Sequence, residues 1–276
     1  MNTLKIILML AALSGILLVV GAVVGGRIGL VMALILSAVM NIGSYWYSDR
    51  IVLKMYNAKA VTRVEAPVLY DVVQKLADKE RMPVPKVYII ADKSPNAFAT
   101  GRDENHAAVA VTSGILDLLS RDELTGVIAH ELSHIRHRDI LIGTMAATIA
   151  SAVVIVASVA KWTAMMGGAG ADGEGTVALI ATAIVAPVAA TLVQMAISRS
   201  REYDADKGAA IMTGNPEALA SSLEKLSLAS RKTPLDANPA TAHMFIVNPL
   251  SGNMIMNLFS THPPLEKRIA RLRGMK

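Results

Sequence analysis

Four long stretches without a charged residue divide the chain of 276 residues. They cover residues 6–26, 28–48, 140–160 and 175–198, and they contain 21, 21, 21 and 24 residues. A helix needs about 20 apolar residues to cross the hydrocarbon core of a bilayer. Each stretch therefore predicts a transmembrane helix, and the 53% hydrophobic content with only 4% aromatic residues is typical of a membrane protein.

The first two stretches are predicted to form a helical hairpin. The first ends in Gly25 and Gly26, and only Arg27 separates it from the second. A secretory signal peptide is the alternative, because Lys5 precedes the first stretch and small residues end it. However, its apolar part exceeds the usual length of about 7–15 residues, and a second stretch follows at once. We therefore expect an N-terminal transmembrane hairpin over residues 1–48 and a second transmembrane pair over residues 140–198.

Residues 49–139 and 199–276 remain as two polar segments, which together are long enough for one hydrophobic core. Their membrane-flanking ends are rich in lysine and arginine, whereas the connections on the other side offer Arg27 and Lys161. The positive-inside rule then predicts that both segments face the cytoplasm. The basic residues at these ends are Arg50, Lys54, Lys59, Arg63, Arg136, Arg138, Arg199, Arg201 and Lys207.

The charge and the composition also exclude several kinds of partner. The net charge of +5 is explained by the basic residues beside the spans, so we expect no nucleic-acid partner. No glycine-rich phosphate loop with its lysine is present, and hence no nucleotide partner is expected. The chain has no cysteine, which leaves histidines and carboxylates as metal ligands.

A small β-sheet is predicted in the first polar segment. Residues 65–81 have the apolar periodicity of an amphipathic helix, while residues 86–91 and 107–112 are rich enough in β-branched residues for strands. Residues 96–101, between the two strands, are apolar but are predicted to be irregular. In the second polar segment, Asn215 and Pro264 mark the beginnings of two further helices.

The pattern His-Glu-Leu-Ser-His occupies residues 130–134. Ser120 and Glu123 form a capping box that begins its helix, which we expect to continue as far as Asp139. Positions i and i+4 share a helical face, so His130 and His134 can bind one metal ion. Glu131 between them is then a candidate general base, and the pattern predicts one zinc ion per chain.

A catalytic zinc ion requires a third protein ligand. His137 lies on nearly the same face, but one straight helix cannot place three side chains around a tetrahedral ion. Glu202 follows the fourth apolar stretch, and Asp206 lies four residues later on the same helical face. We expect Glu202 to bind the metal and Asp206 to accept the outer N–H of a ligand histidine. The alternative is a solvated helix turn in which Arg199 and Arg201 are the partners of both carboxylates.

Taken together, the motifs resemble those of the HtpX family of heat-shock membrane proteases, which belongs to the gluzincin group with the CAAX prenyl proteases. The likeness covers nearly the whole chain. It rests on four segments in this order: Asn96-Ala97-Phe98-Ala99, His130-Glu131-Leu132-Ser133-His134, Ser198-Arg199-x-x-Glu202-x-x-Ala205-Asp206 and Thr261-His262-Pro263-Pro264.

The resemblance implies a role for each site residue. Zinc ligation falls to His130, His134 and Glu202, and the general base is Glu131. His262 and Arg268 resemble the pair that the group places near the scissile carbonyl. The residues that would line the substrate backbone are Asn96, Ala97, Phe98 and Ala99. From the residues alone, Asn96 also suits a turn, His262 the start of a helix and Arg268 a membrane-facing cation.

We therefore expect a mainly α membrane protein with four transmembrane helices and a zincin-like α+β protease domain that contains a small β-sheet. The resemblance implies a multi-pass protein of a bacterial-type inner (plasma) membrane, in contact with the lipid bilayer. It would hydrolyse misfolded or damaged membrane proteins, or unfolded polypeptides, on the cytoplasmic side. Processing of prenylated peptides is an alternative. An intramembrane site-2 type protease and a noncatalytic membrane scaffold are two competing hypotheses.

Overall fold

The computed structural model describes residues 2–137, 139–144, 199–232, 244–246 and 263–275. Within them the chain is mainly helical with one small mixed β-sheet, as predicted. The described elements are α1 (Asn2–Met55), β1 (Lys59–Ala60), α2 (Pro67–Glu80), β2 (Lys86–Ile90), β3 (Ala97–Gly101), a 3-10 turn (Glu104–His106), β4 (Ala107–Thr112), α3 (Ser113–Leu118), α4 (Arg121–Arg136), α5 (Arg199–Thr213), α6 (Pro216–Lys232) and α7 (Leu265–Arg273).

Helix α1 folds back on itself at Gly26, whose φ of 55° and ψ of −133° suit a residue without a Cβ atom. The amide of Asn41 donates a hydrogen bond to the Ser14 hydroxyl across the two halves, at 2.9 Å. Within the part of the chain that the structure describes, Gly26–Tyr47 is the one helical segment long and apolar enough to cross a membrane. The predicted third and fourth spans lie outside the described residues, except for residues 140–144, which are helical.

The sheet has the strand order β1-β2-β4-β3. Strands β2 and β4 are parallel, and the two outer strands run antiparallel to their neighbours. Its side chains alternate between two apolar layers. Val109 and Ala99 face the helices, whereas Phe98 and Ala110 face the end of α1 around Val52.

Residues 97–101 form strand β3, although the sequence predicts an irregular segment there. All five residues are buried, so no polar and apolar alternation marks the strand. Alanine and glycine also have low strand propensity. Antiparallel pairing with β4, in which Phe98 lies opposite Ala110, stabilises this strand instead. The pairing makes β3 one edge of the sheet.

Both polar segments contribute to one hydrophobic core. Val109 and Ile128 of the first segment belong to the same buried cluster as Leu219, Leu223 and Leu272 of the second. Burial of side chains of this size contributes about 1.5–3 kcal/mol each. The core therefore holds α4 against α5, α6 and α7.

Helix α4 begins at the predicted capping box. Burial alone would raise the pKa of the Glu123 carboxyl, but hydrogen bonds from Lys225, Ser120 and Ser221 outweigh it and hold that pKa at about 2. The helix ends at Arg136, three residues before the expected end at Asp139. The Asp139 N–H donates to the His134 carbonyl at 3.0 Å, which closes the last turn.

Candidate active site

His130, His134 and Glu202 converge at the contact between α4 and α5. The two Nε2 atoms are 3.2 Å apart. Glu202 Oε2 lies 3.7 Å from His130 Nε2, and Glu202 Oε1 lies 3.5 Å from His134 Nε2. Ligands about 2.0–2.1 Å from a tetrahedral zinc ion are separated by about 3.3 Å. The three side chains could therefore hold one metal ion.

The two ligand-bearing helices approach closely where Ser133 meets Gly208. A Cβ atom on Gly208 would lie 2.1 Å from the Ser133 hydroxyl and 3.1 Å from its Cβ atom. Only a residue without a side chain allows this approach. Ser133 directly precedes His134 on α4, and Gly208 follows Asp206 by two residues on α5, so this contact helps to set the distance between the histidines and Glu202.

Glu131 is buried beside the three candidate ligands. Burial raises the pKa of its carboxyl, and the nearby charge of Glu202 acts in the same direction. The histidines and a backbone hydrogen bond from Ala99 act in the opposite direction without cancelling the rise. A carboxylate whose pKa is raised accepts a proton more readily, which suits a general base.

Asp206 lies behind His130, on the side away from Glu202. Its Oδ1 atom is 3.0 Å from His130 Nδ1. Burial alone would raise the pKa of Asp206, but the charge and hydrogen bonds of Arg268 and the contact with His130 lower it to about 2. Asp206 therefore stays ionised and can accept the outer N–H of the imidazole.

Arg268 is fully buried, so the alternative of a membrane-facing cation is wrong. Its Nε and Nη2 atoms donate to the two oxygens of Asp206 at 2.8 and 2.7 Å. Its Nη1 atom lies 3.3 Å from Glu202 Oε2. Arg268 thus balances two carboxylates of the site.

The segment 96–99 reaches the site only in part. Ala99 contacts Glu131 through its backbone, whereas the Phe98 side chain packs on the opposite face of the sheet against Tyr56 and Phe245. The Asn96 side chain accepts a hydrogen bond from the Ala97 N–H at 3.1 Å. The outward backbone groups of β3 thus lie beside the candidate ligands, but the phenyl ring does not.

Two features of the site were missed in the sequence. Residues 244–246 lie along the outer edge of β3, where the Ile246 N–H donates to the Ala97 carbonyl at 3.1 Å. Asp139 and Arg201 form an ion pair of 3.2 Å beside His134. A signal for this pair was available, since the two residues carry opposite charges and flank residues 140–198. His262 lies outside the described residues.

The charges around the imidazoles suit a divalent cation. Burial alone would lower the pKa of His134, but Asp139, Glu202 and Glu131 outweigh it and raise that pKa. Among the described residues at the site, these three carboxylates and that of Asp206 face two guanidinium groups, of Arg201 and Arg268. Two nitrogen ligands and one carboxylate form a donor set that zinc prefers.

The sequence model of peptidase family M48 matches residues 64–276. The chain belongs to peptidase family M48. It is therefore a metalloprotease, a hydrolase that acts on peptide bonds. The matched region contains every described candidate ligand.

Relatives in the M48 family confirm the resemblance to HtpX proteases. A protease HtpX homolog of Desulforapulum autotrophicum is 55% identical over 99% of this chain and 89% of its own length. The protease HtpX homologs of Desulfatibacillum aliphaticivorans and Thermodesulfovibrio yellowstonii are 55% and 53% identical over the whole of this chain, covering 90% and 99% of their own lengths.

A solved structure shares the fold of this M48 peptidase. The crystal structure of S. mikatae Ste24p matches with a TM-score of 0.52 and 16% sequence identity. The match covers 99% of this chain, and the chain spans 63% of the Ste24p chain. This likeness concerns the fold alone.

Proposed function

We propose that this M48 metalloprotease is a zinc-dependent, multi-pass membrane endopeptidase that cleaves misfolded or damaged membrane proteins on the cytoplasmic side. The observation that carries the proposal is the convergence of His130, His134 and Glu202 beside the buried Glu131. A scaffold would not need a general base next to three metal ligands. These three residues would hold one zinc ion per chain.

The reaction is general-base hydrolysis of a peptide bond. A zinc ion held there would supply Lewis acidity for the scissile carbonyl and for the attacking water. Glu131 accepts a proton from the attacking water and passes it to the leaving amine. Asp206 holds the His130 ring in the tautomer that binds metal. His262 is assigned, on the sequence resemblance, to the developing oxyanion.

The substrate backbone lies along the outer edge of β3. This strand ends the sheet, and Ile246 already pairs with its outer edge at Ala97, so the extended peptide pairs with the outward backbone groups that follow Ala97. Ala99, which contacts Glu131, places that edge beside the reacting groups. Asn96 and Ala97 support the strand at its beginning, and Phe98 anchors it from the opposite face.

Four spans place the site at the membrane. The proposed organisation is a hairpin over residues 1–48, protease segments over 49–139 and 199–276, and a second transmembrane pair over 140–198. The lysines and arginines beside the spans support a cytoplasmic location for both protease segments. The third ligand, Glu202, then follows directly from the fourth span.

The mechanism is tested with Glu131→Gln in the purified full-length protein. This variant should retain one zinc ion per chain and should lose cleavage of an unfolded membrane protein. Glu202→Ala should lose the zinc ion itself, as measured by metal analysis after dialysis. Proteolysis at the wild-type rate by Glu131→Gln would contradict the proposed mechanism. Preferential cleavage of a prenylated peptide over a damaged membrane protein would favour the alternative substrate class.

A further inference from the structure

The two candidate histidine ligands each face a carboxylate on the side away from the metal, within hydrogen-bond distance at His130 and slightly beyond it at His134. His130 Nδ1 lies 3.0 Å from Asp206, which Arg268 holds by two hydrogen bonds. His134 Nδ1 lies 3.8 Å from Asp139 Oδ2, and Arg201 Nη1 lies 3.2 Å from Asp139 Oδ1. Each imidazole thus faces a carboxylate on the side away from the metal, and each carboxylate forms an ion pair with an arginine.

From this arrangement we infer that Asp139 and Arg201 form a positioning pair that orients the ring of His134 for metal binding. The inference rests on the proposed zinc site. A histidine that binds metal through Nε2 carries its proton on Nδ1, and an acceptor there fixes the tautomer and the ring plane. Among the described residues, Asp139 is the carboxylate that faces this nitrogen.

The positions of the pair along the chain support this role. Asp139 follows the last turn of α4, where its N–H donates to the His134 carbonyl. Arg201 precedes Glu202 on α5 by one residue. The ion pair therefore links the chain after His134 to the chain next to Glu202. Its two residues also lie at the two ends of the segment 140–198.

The burial of the pair distinguishes it from a surface ion pair. The side chains of Asp139 and Arg201 are only 10% and 16% exposed. Removing such charges from water is costly unless they are paired with good geometry. By contrast, the pair of Arg63 and Asp71 is 70% and 30% exposed, and pairs of that kind contribute little.

The test uses zinc affinity rather than activity alone. Asp139→Asn keeps the size of the side chain and removes its charge. Its zinc affinity, measured by competition with a chromophoric chelator, should fall about tenfold to a hundredfold. Its cobalt-loaded form should show altered visible absorption bands, because the His134 ring is displaced. The matched control, Asp71→Asn, should change neither the zinc affinity nor the absorption bands of the cobalt-loaded form. Zinc affinity within twofold of wild type for Asp139→Asn would overturn the inference.

A charge exchange separates ring positioning from simple tethering of the two helices. The double variant Asp139→Arg/Arg201→Asp restores an ion pair between α4 and α5 but places a cation behind His134. Its melting temperature should recover relative to Asp139→Arg, while its zinc affinity should stay low. Recovery of both the melting temperature and the zinc affinity would show that the pair only holds the two helices together, and it would contradict the inference. Wild-type protein that binds no zinc would instead defeat the proposed function.

Discussion

At the scale of single residues, the surroundings of Arg268 decide its role. Its guanidinium group is enclosed by protein and faces two carboxylates, Asp206 and Glu202. A group in this position acts on the metal site through its neighbours. The sequence resemblance implies a position near the scissile carbonyl; in the structure Arg268 Nη2 lies 3.4 Å from both ring nitrogens of His130 and also pairs with Asp206 behind that ring. The contact that distinguishes the two roles is the bidentate pair with Asp206.

The structural role of Arg268 predicts a large loss of stability when its charge is removed. Arg268→Met leaves Asp206 and Glu202 with uncompensated buried charge, which costs about 3–5 kcal/mol. The melting temperature of the purified protein in detergent should fall accordingly. Arg271→Met is the control, because Arg271 is exposed on the same helix and contacts the Tyr203 ring. Lost activity with an unchanged melting temperature in Arg268→Met would instead support a direct contact with substrate.

At the scale of elements, the position of α5 against α4 controls the site. The close approach of Gly208 to Ser133 leaves no space for a methyl group. A rotation of the Ser133 hydroxyl relieves only part of the overlap, because the Ser133 Cβ atom would still lie 3.1 Å away, closer than an ordinary van der Waals contact. We therefore expect a side chain at position 208 to shift α5 slightly away from α4 and to move Glu202 away from the histidines.

Gly208→Ala should lower both stability and zinc affinity. The higher helix propensity of alanine contributes about 1 kcal/mol in favour of the variant, but overpacking costs about 1–3 kcal/mol. The control Gly43→Ala meets open space in its helix and should not be destabilised. Thermal melting and chelator competition measure the two effects. The double variant Ser133→Gly/Gly208→Ala removes the colliding atoms, and failure to regain zinc affinity there would count against the packing explanation.

The elements that could be predicted from the sequence are those with local signals. The capping box at Ser120 marks the beginning of α4, and the pattern at residues 130–134 and the helical spacing from Glu202 to Asp206 indicate the ligands. Strand β3 could not be predicted, since its burial on both faces removes the alternation that would mark it. The contact between Ile246 and Ala97 joins residues far apart in sequence, and no local sequence pattern predicts such a pairing.

At the scale of the whole molecule, the shared core constrains how the chain crosses a membrane. Ile128 in the first polar segment and Leu223 in the second belong to one buried cluster, and the candidate ligands are drawn from both segments. Two segments that share a core must lie on the same side of a bilayer. We therefore expect the chain between them to cross the bilayer an even number of times, as the two proposed spans at 140–160 and 175–198 would.

This topology predicts which positions a membrane-impermeant maleimide can reach. Because the chain has no cysteine, each introduced thiol is the single reactive site. Lys75→Cys and Lys232→Cys lie at exposed positions of the two polar segments and should be labelled only after the cells are permeabilised. Asp172→Cys, between the third and fourth apolar stretches, should be labelled in intact cells. Labelling of Lys75→Cys and Lys232→Cys from opposite sides of the membrane would contradict the shared core. Labelling of both in intact cells would show the reverse orientation, with the zinc site outside the cytoplasm.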